Sequence, residues 1–330
     1  MPKTKSLYLE VANFVVKFGD HLNLVDLFEE VVAPALTDDT LRRSFTGTHY
    51  LLHEPRLVNL KDDLGVVGRL VKDEVIASEQ QLIENELRPT EDTLHSSPSS
   101  LFLLVVGSHR LIYVRENTGS PSVGTFQATL AKFLKLKHKA FIDFQSKIEH
   151  PGIGRMQKKQ LVEKYPYPSI SITPIANEGS VEDFIKKFAR LKSITTTLKK
   201  TNSEFDNDGL FDQVRTSQDL LKSTKTTLRY ENKEGLNKDE ATKQVAALAK
   251  QGNHDLQLNG VDFGGSEMKG DEDSLKLKHS IPELSEDLES AALELYGAFK
   301  RLKKTASIIV PDVIDKVKEK VRMIKDSYGL

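Results

Sequence analysis

The chain has 330 residues, of which 47 are Lys or Arg, 48 are Asp or Glu and none is Cys. With a formal net charge of −1, attraction to nucleic acid or to an anionic membrane would have to come from local clusters of charge. The absence of cysteine excludes disulfides, thiolate nucleophiles and cysteine-based zinc sites. No apolar run approaches the ~20 residues that span a bilayer, and the first ten residues lack the apolar core of a signal peptide, so we expect a cytoplasmic protein.

The first part of the chain predicts the order β-α-β-β. Residues Leu7–Phe18 are rich in β-branched and aromatic side chains, which favours a strand. Asn23 is placed to cap a helix over Leu24–Leu36, whose apolar residues recur at helical spacing. Thr48–Leu60 and Leu64–Lys72 are typical of two strands joined by a short polar turn.

An acidic segment and an apolar hairpin follow. Asp73–Asp92 contains seven acids and one arginine with weak helical spacing, which predicts a solvated acidic helix or lid. Leu101–Val106 and Leu111–Val114 are apolar runs on either side of a turn led by glycine, as in a hairpin that is covered on both faces. Thr125–Lys139 has the spacing of an amphipathic helix with cations near its end. We therefore expect this hairpin at the centre of a sheet.

The second half also mixes helices and strands. A helix capped by Ser180, with apolar side chains from Val181 to Leu191, is predicted before a β-rich stretch, and an alanine-rich helix is predicted over Asn237–Lys250. Five strands are predicted, the last two of them paired: Ile170–Ile175, Ile194–Leu198, Thr226–Tyr230, Asp255–Phe263 and Ser274–His279.

The last fifty residues predict two amphipathic helices. The first has its apolar stripe between Leu284 and Leu302, and the second begins with Pro311 as its first helical residue. The elements together predict an α+β fold, with mixed sheets that carry helices and with a C-terminal helical pair. The length favours two domains, residues 1–165 and 166–330, divided at the stiff connector Tyr165–Ser169.

Three clusters of cations suggest contact with the phosphates of double-stranded DNA. Lys132–Lys159 contains eight bases against two acids, Ile185–Ser203 contains six bases and no acid, and Lys300–Lys304 reads KRLKK. Phosphate contacts need only Lys and Arg arrayed along one face, so the clusters are predicted to line one groove, although the same charges would also suit a solvated surface. The candidate DNA-binding residues are Lys132, Lys135, Lys137, Lys139, Arg155, Lys158, Lys159, Lys186, Lys187, Arg190, Lys192, Lys199, Lys200, Lys300 and Arg301.

Sequence motifs give little support for catalysis. The nine histidines lack metal-binding spacing, and there is no GxSxG, P-loop or GxGxxG, so we expect a non-enzyme without metal or cofactor. One alternative is a metal-dependent nuclease, because Glu231 and Lys233 follow a predicted strand, with Asp212 or Asp219 upstream, in the manner of PD-(D/E)xK enzymes. A protein-interaction module built on the C-terminal helices is a further alternative.

The order of the elements and several local motifs carry a resemblance to a known family. The motifs are Asn23–Leu36 (NLVDLFEEVVAPAL), Ser99–Val114 (SSLFLLVVGSHRLIYV), Ile170–Thr197 and Ala292–Arg301 (ALELYGAFKR). With them the chain resembles the RexA-like phage exclusion proteins of lambdoid prophages and, more distantly, the DNA-binding component of the Kiwa defence system. The resemblance implies a homodimer that binds double-stranded DNA without sequence preference. It also implies a role in phage exclusion or abortive infection beside a membrane-embedded partner protein.

Overall fold

The computed structural model describes residues 7–78, 80–83, 85–149, 154–198, 212–223, 225–249 and 254–330. A 3₁₀ turn (Leu24–Leu27) and a π turn (Phe28–Val32) lead into the first α-helix. The helices are α1 (Ala33–Thr37), α2 (Val123–Gln145), α3 (Lys158–Lys164), α4 (Glu178–Ile185), α5 (Asp212–Leu220), α6 (Lys238–Ala249), α7 (Glu272–Leu275), α8 (Leu288–Lys304) and α9 (Asp315–Ser327). The strands are β1 (Leu7–Phe18), β2 (Leu22–Asn23), β3 (Arg43–Phe45), β4 (Thr48–Asn59), β5 (Leu64–Ala77), β6 (Gln80–Ile83), β7 (Glu86–Pro89), β8 (Thr93–Ser96), β9 (Ser99–Val105), β10 (Arg110–Arg115), β11 (Pro168–Pro174), β12 (Phe188–Leu198), β13 (Thr226–Glu231), β14 (His254–Asp262), β15 (Glu267–Gly270) and β16 (His279–Ile281). The predicted α+β fold class is confirmed.

A large antiparallel sheet has the order β11-β1-β10-β9-β5-β4-β3, and the predicted hairpin forms its centre as β9 and β10. Phe102 and Tyr113 on one face pack in a core with α2, whereas Leu103 and Ile112 on the other face pack in a core with α8. Because side chains alternate between the faces of a strand, a sheet covered on both sides needs nearly continuous apolar strands. This explains why the hairpin was recognisable from its sequence.

A second antiparallel sheet has the order β13-β12-β14-β15. Its inner face packs against α4 and α6 around Phe188, Ile194 and Leu258. Several elements that follow residue 165 lie on the large sheet: β11 and β16 both pair with β1, α8 packs on one face and α9 contributes to the core of the other. The large sheet is therefore completed by the C-terminal part of the chain.

Of the helix or lid predicted over Asp73–Asp92, the helix is wrong, because β5 continues to Ala77 and a small β6–β7 hairpin follows. The β-branched residues Val75 and Ile76 pair with β8 and extend the ladder beyond the large sheet. Five of the large apolar side chains between Val75 and Leu94 are exposed: Val75, Ile76, Ile83, Leu87 and Leu94. The weak helical spacing of apolar residues therefore failed to predict the secondary structure of a segment in which most of these residues are exposed.

The helix predicted to run to Leu191 is also too long. It ends at Ile185 and is capped by Asn177, whose side chain accepts a hydrogen bond from the backbone N–H of Ser180 at 2.8 Å. Strand β12 begins at Phe188, and its pairing with β14 shifts register twice before Ile194. Each bulge adds one residue, so Phe188, Leu191 and Ile194 reach the same core at intervals of three and imitate a helix.

Two boundaries in the C-terminal part differ from the prediction. Strand β14 pairs with β12 and β15 and not with Ser274–His279, which is divided between α7 and the start of β16. Helix α9 begins at Asp315, four residues after Pro311. None of the helices in the described ranges is long and apolar enough to cross a membrane.

Candidate nucleic-acid interface

Helix α2 exposes lysines to solvent on one side because its apolar side packs against the large sheet. The side chain of Ser122 caps the helix by accepting from the Thr125 N–H at 3.2 Å. Apolar side chains, among them Phe126 and Phe133, are buried against the large sheet. The exposed lysines follow at helical spacing on the other side: Lys132, Lys135 and Lys139.

Helix α3 brings further cations to the end of α2. The ammonium of Lys158 lies 2.5 Å from the carboxylate of Asp143, and this hydrogen bond is the largest cause of the lowered pKa of Asp143. Lys139 and Lys147 also lower that pKa through their charge. We call the exposed cations of this region the α2–α3 surface: Lys132, Lys135, Lys139, Lys147, Arg155, Lys158 and Lys159.

Lys137 has a different environment from the other lysines of α2. Its ammonium lies 2.5 Å from the carboxylate of Asp38, beyond the end of α1, and both side chains are half-buried. The hydrogen bond from Lys137 is the largest cause that lowers the pKa of Asp38 to about 2. Lys137 therefore links α2 to the chain after α1, and it is less accessible to DNA than its neighbours.

The second predicted cluster lies at the end of α4 and the start of β12. Lys186 forms an ion pair of 2.5 Å with Glu182, and the ammonium of Lys187 lies 5.4 Å from the centre of the Phe184 ring. Arg190 is exposed and Lys192 is half-buried on β12. Lys199 and Lys200 lie outside the described residues.

The third predicted cluster is not part of the same surface as α2. Lys300 and Arg301 belong to α8, which covers the opposite face of the large sheet from α2. The ammonium of Lys300 lies 2.7 Å from the carboxylate of Asp62. The prediction that all three clusters line one groove is therefore wrong for this cluster, because the sheet separates it from α2.

The residues of the nuclease alternative do not form a metal centre in the parts of the chain that are described. Glu231 is exposed and lies 3.0 Å from the guanidinium of Arg229, and Lys233 is exposed in the following turn. The side chains of Asp212 and Asp219 are outside the description. No group of three or more His, Asp or Glu residues that could hold a metal ion occurs among the residues that the structure describes.

A further concentration of cations escaped the sequence analysis. It lies on α9, where Lys318, Arg322 and Lys325 follow one another at intervals of four and three residues. These three residues line a cavity that also contacts α8 and Lys61. The spacing of these three residues could have predicted a positively charged face on α9. It could not have predicted that Lys61, which is distant in sequence, lines the same cavity.

Comparison with known proteins gives a match to one sequence family and no function. Residues 133–294 match a domain of unknown function (DUF4747). The matching region begins within α2 and ends within α8, so it includes α3, the second sheet and most of the predicted cations. No curated protein matches the chain.

Proposed function

We propose that the chain binds double-stranded DNA through the phosphate backbone, without reading base sequence, and that the α2–α3 surface makes the contact. The observation that carries this proposal is the concentration of seven exposed cations, five of them on α2 and α3 and two in the chain between these helices. Phosphate contacts dominate the affinity of sequence-independent DNA binding, and they require little more than such an array.

The biological setting of the proposal comes from the resemblance to the RexA-like phage exclusion proteins. In that setting the chain acts in the cytoplasm as a non-enzymatic component of phage exclusion or abortive infection. It works as a homodimer, and it signals to a membrane-embedded partner protein after binding DNA.

One feature of α2 bears on the choice between duplex and single strand. Phe144 is 61% exposed and follows Asp143 on the helix. Single-strand binders stack bases on exposed aromatic rings that alternate with cations. Phe144 is the single exposed ring of α2 and does not alternate with the lysines of that helix, which supports a duplex backbone as the ligand.

The proposal is tested by charge reversal on the α2–α3 surface. The triple variant Lys135→Glu, Lys139→Glu and Lys159→Glu should bind a duplex of arbitrary sequence at least tenfold more weakly, because three phosphate contacts become repulsive. The matched control, Lys225→Glu, Lys269→Glu and Lys278→Glu, changes the net charge equally at other exposed positions and should retain binding. Fluorescence anisotropy with duplex and single-stranded DNA measures both variants.

Equal losses in the two variants would show that net charge alone governs binding and would contradict the assignment to α2–α3. Stronger binding of the single strand than of the duplex would contradict the choice of ligand.

A further inference from the structure

A cavity of about 590 Å³ lies at one end of the large sheet, between α8 and α9. The turn between β4 and β5 and the turn between β9 and β10 form part of its wall through Asp63 and Ser108. Cavities of about 300 to 1,000 Å³ are typical of small-molecule sites. A DNA duplex is too wide to enter a cavity of this size.

Cations outnumber acids in the wall of the cavity. The six cations are Lys61, Lys300, Lys303, Lys318, Arg322 and Lys325. The three acids are Asp62, Asp63 and Asp312. The wall therefore carries excess positive charge within a chain whose net charge is close to zero.

Each of the three acids already has hydrogen-bond donors. Lys300 lies 2.7 Å from Asp62, and Lys303 lies 3.0 Å from Asp312. Asp63 is buried and accepts from the backbone N–H of Leu64 at 2.8 Å and of Gly107 at 2.7 Å. Among the described residues, the ion pairs of these acids within the wall are made by Lys300 and Lys303 of α8, and not by the cations of α9 or of the β4–β5 turn.

The cations on the α9 side are available to an anion. Lys61 and Arg322 form no ion pair with any residue that the structure describes. Lys318 pairs at 2.9 Å with Asp315, which is almost fully exposed. Lys325 donates to the backbone carbonyl of Lys61 at 3.1 Å and forms no ion pair with a described residue, although its charge also lowers the pKa of Asp62 and opposes the raised pKa of Asp63.

The lining of the cavity also includes two aromatic rings and two hydroxyl groups. The rings of Tyr296 and Phe299 are stacked with centres 6.2 Å apart. Burial raises the pKa of Tyr296 to about 12, so its hydroxyl keeps the proton and can donate it in a hydrogen bond. Ser108 is 6% exposed, and its buried hydroxyl has no hydrogen-bond partner in the described part of the chain. An unpaired buried hydroxyl is costly and is normally satisfied by a ligand or by water.

We propose that this cavity binds a phosphorylated small molecule of nucleotide size, with its phosphates among the cations of α9 and Lys61 and its apolar part against the half-buried ring of Tyr296. The site is separate from the α2–α3 surface, so it is independent of DNA binding. Guanidinium and ammonium groups form strong charge-assisted hydrogen bonds with phosphate, and a planar ring packs well on aromatic side chains.

Calorimetric titration of the full chain with ATP, pyrophosphate and adenosine tests this proposal. We expect saturable binding of ATP, weaker binding of pyrophosphate, and at least tenfold weaker binding of adenosine because it lacks the phosphates. Arg322→Gln should weaken ATP binding about tenfold. The matched control Lys316→Gln removes a charge from an exposed position of α9 outside the cavity and should leave ATP binding unchanged.

A second variant tests whether weaker ATP binding results from misfolding. Ser108→Ala removes a hydroxyl that has no partner within the described residues, so it should leave thermal stability intact while it weakens ATP binding several-fold.

Absence of saturable binding of both ATP and pyrophosphate at about 1 mM would overturn the proposal. Equal effects of Arg322→Gln and Lys316→Gln, or unchanged affinity in Ser108→Ala and Arg322→Gln together, would also overturn it. Duplex DNA binding should be unaffected in Arg322→Gln, which separates this test from that of the α2–α3 surface.

Discussion

Asp63 connects two turns of the large sheet from a buried position. Its carboxylate accepts the backbone N–H of Gly107, and a side chain added at Gly107 would place its Cβ 2.8 Å from that carboxylate. Burial is the largest influence on Asp63 and raises its pKa to about 6, whereas the N–H donors of Gly107, Leu64 and Ser108 act in the opposite direction. The carboxylate therefore links the two turns, and its burial disfavours the ionised form of Asp63.

This environment predicts a pH dependence of stability. Because the folded pKa of Asp63 lies above its ordinary value of 3.8, the folded state binds the proton more tightly than the unfolded state. The contribution of Asp63 to the free energy of unfolding is therefore fully present below pH about 4 and is lost as pH rises to about 6, by about 1.4 kcal/mol per pH unit. Urea unfolding of the unmodified protein and of Asp63→Asn, which cannot titrate, measures this contribution.

The difference in unfolding free energy between the two proteins should change by about 2–3 kcal/mol between pH 4 and pH 7, to the relative advantage of the variant at pH 7. A difference that does not vary with pH would contradict the raised pKa.

Within α2, neighbouring lysines have different environments, which can be tested separately. Lys137→Met removes the ion pair with Asp38 and should lower the free energy of unfolding by about 1 kcal/mol, because the pair is only partly shielded from solvent. It should leave duplex affinity nearly unchanged. Lys135→Met, at an exposed position two residues earlier, should leave stability within about 0.5 kcal/mol and weaken duplex binding several-fold.

Chemical denaturation and anisotropy on the same two variants distinguish these effects. The reverse pattern, in which Lys137→Met alone reduces DNA binding, would show that the lysine paired with Asp38 is the one that contacts phosphate.

The elements differ, for physical reasons, in how far their local sequence predicts them. The hairpin β9–β10 was predicted because both of its faces are buried, so its composition alone identifies it. The extension of β5 was missed because its stability depends on pairing with β8, which residue spacing does not reveal. The start of β12 was missed because two bulges give its buried residues the spacing of a helix.

The candidate site was predictable only in its composition. The lysines of α2 and α3 were identified from charge, and their exposure follows from the amphipathic pattern of α2. The ion pair of Lys137 with Asp38 depends on the packing of α1 near α2, and the separation of Lys300 from α2 depends on which face of the sheet each helix covers. Contacts between residues distant in sequence depend on the fold, so local sequence patterns do not predict them.

Across the whole molecule, charge is separated along α2. Val123 and Gly124 at the start of the helix lie beside an acidic group of Asp255, Asp271, Glu272 and Asp273. The cations of the α2–α3 surface lie towards its other end, and a helix of 23 residues is about 35 Å long. A chain with a net charge of −1 can therefore present a locally positive surface to DNA.

The central claim, that the α2–α3 surface binds the backbone of duplex DNA, is tested most directly by the salt dependence of binding. Anisotropy titrations with a duplex of arbitrary sequence, between about 50 and 200 mM salt, should show log K falling linearly with log salt at a slope of about −0.9 per phosphate contact. About four contacts would give a loss of affinity on the order of 100-fold over this range. The variant with Glu at positions 135, 139 and 159 should show a shallower slope. Duplex binding that is absent at low salt, or that does not change with salt, would contradict the claim.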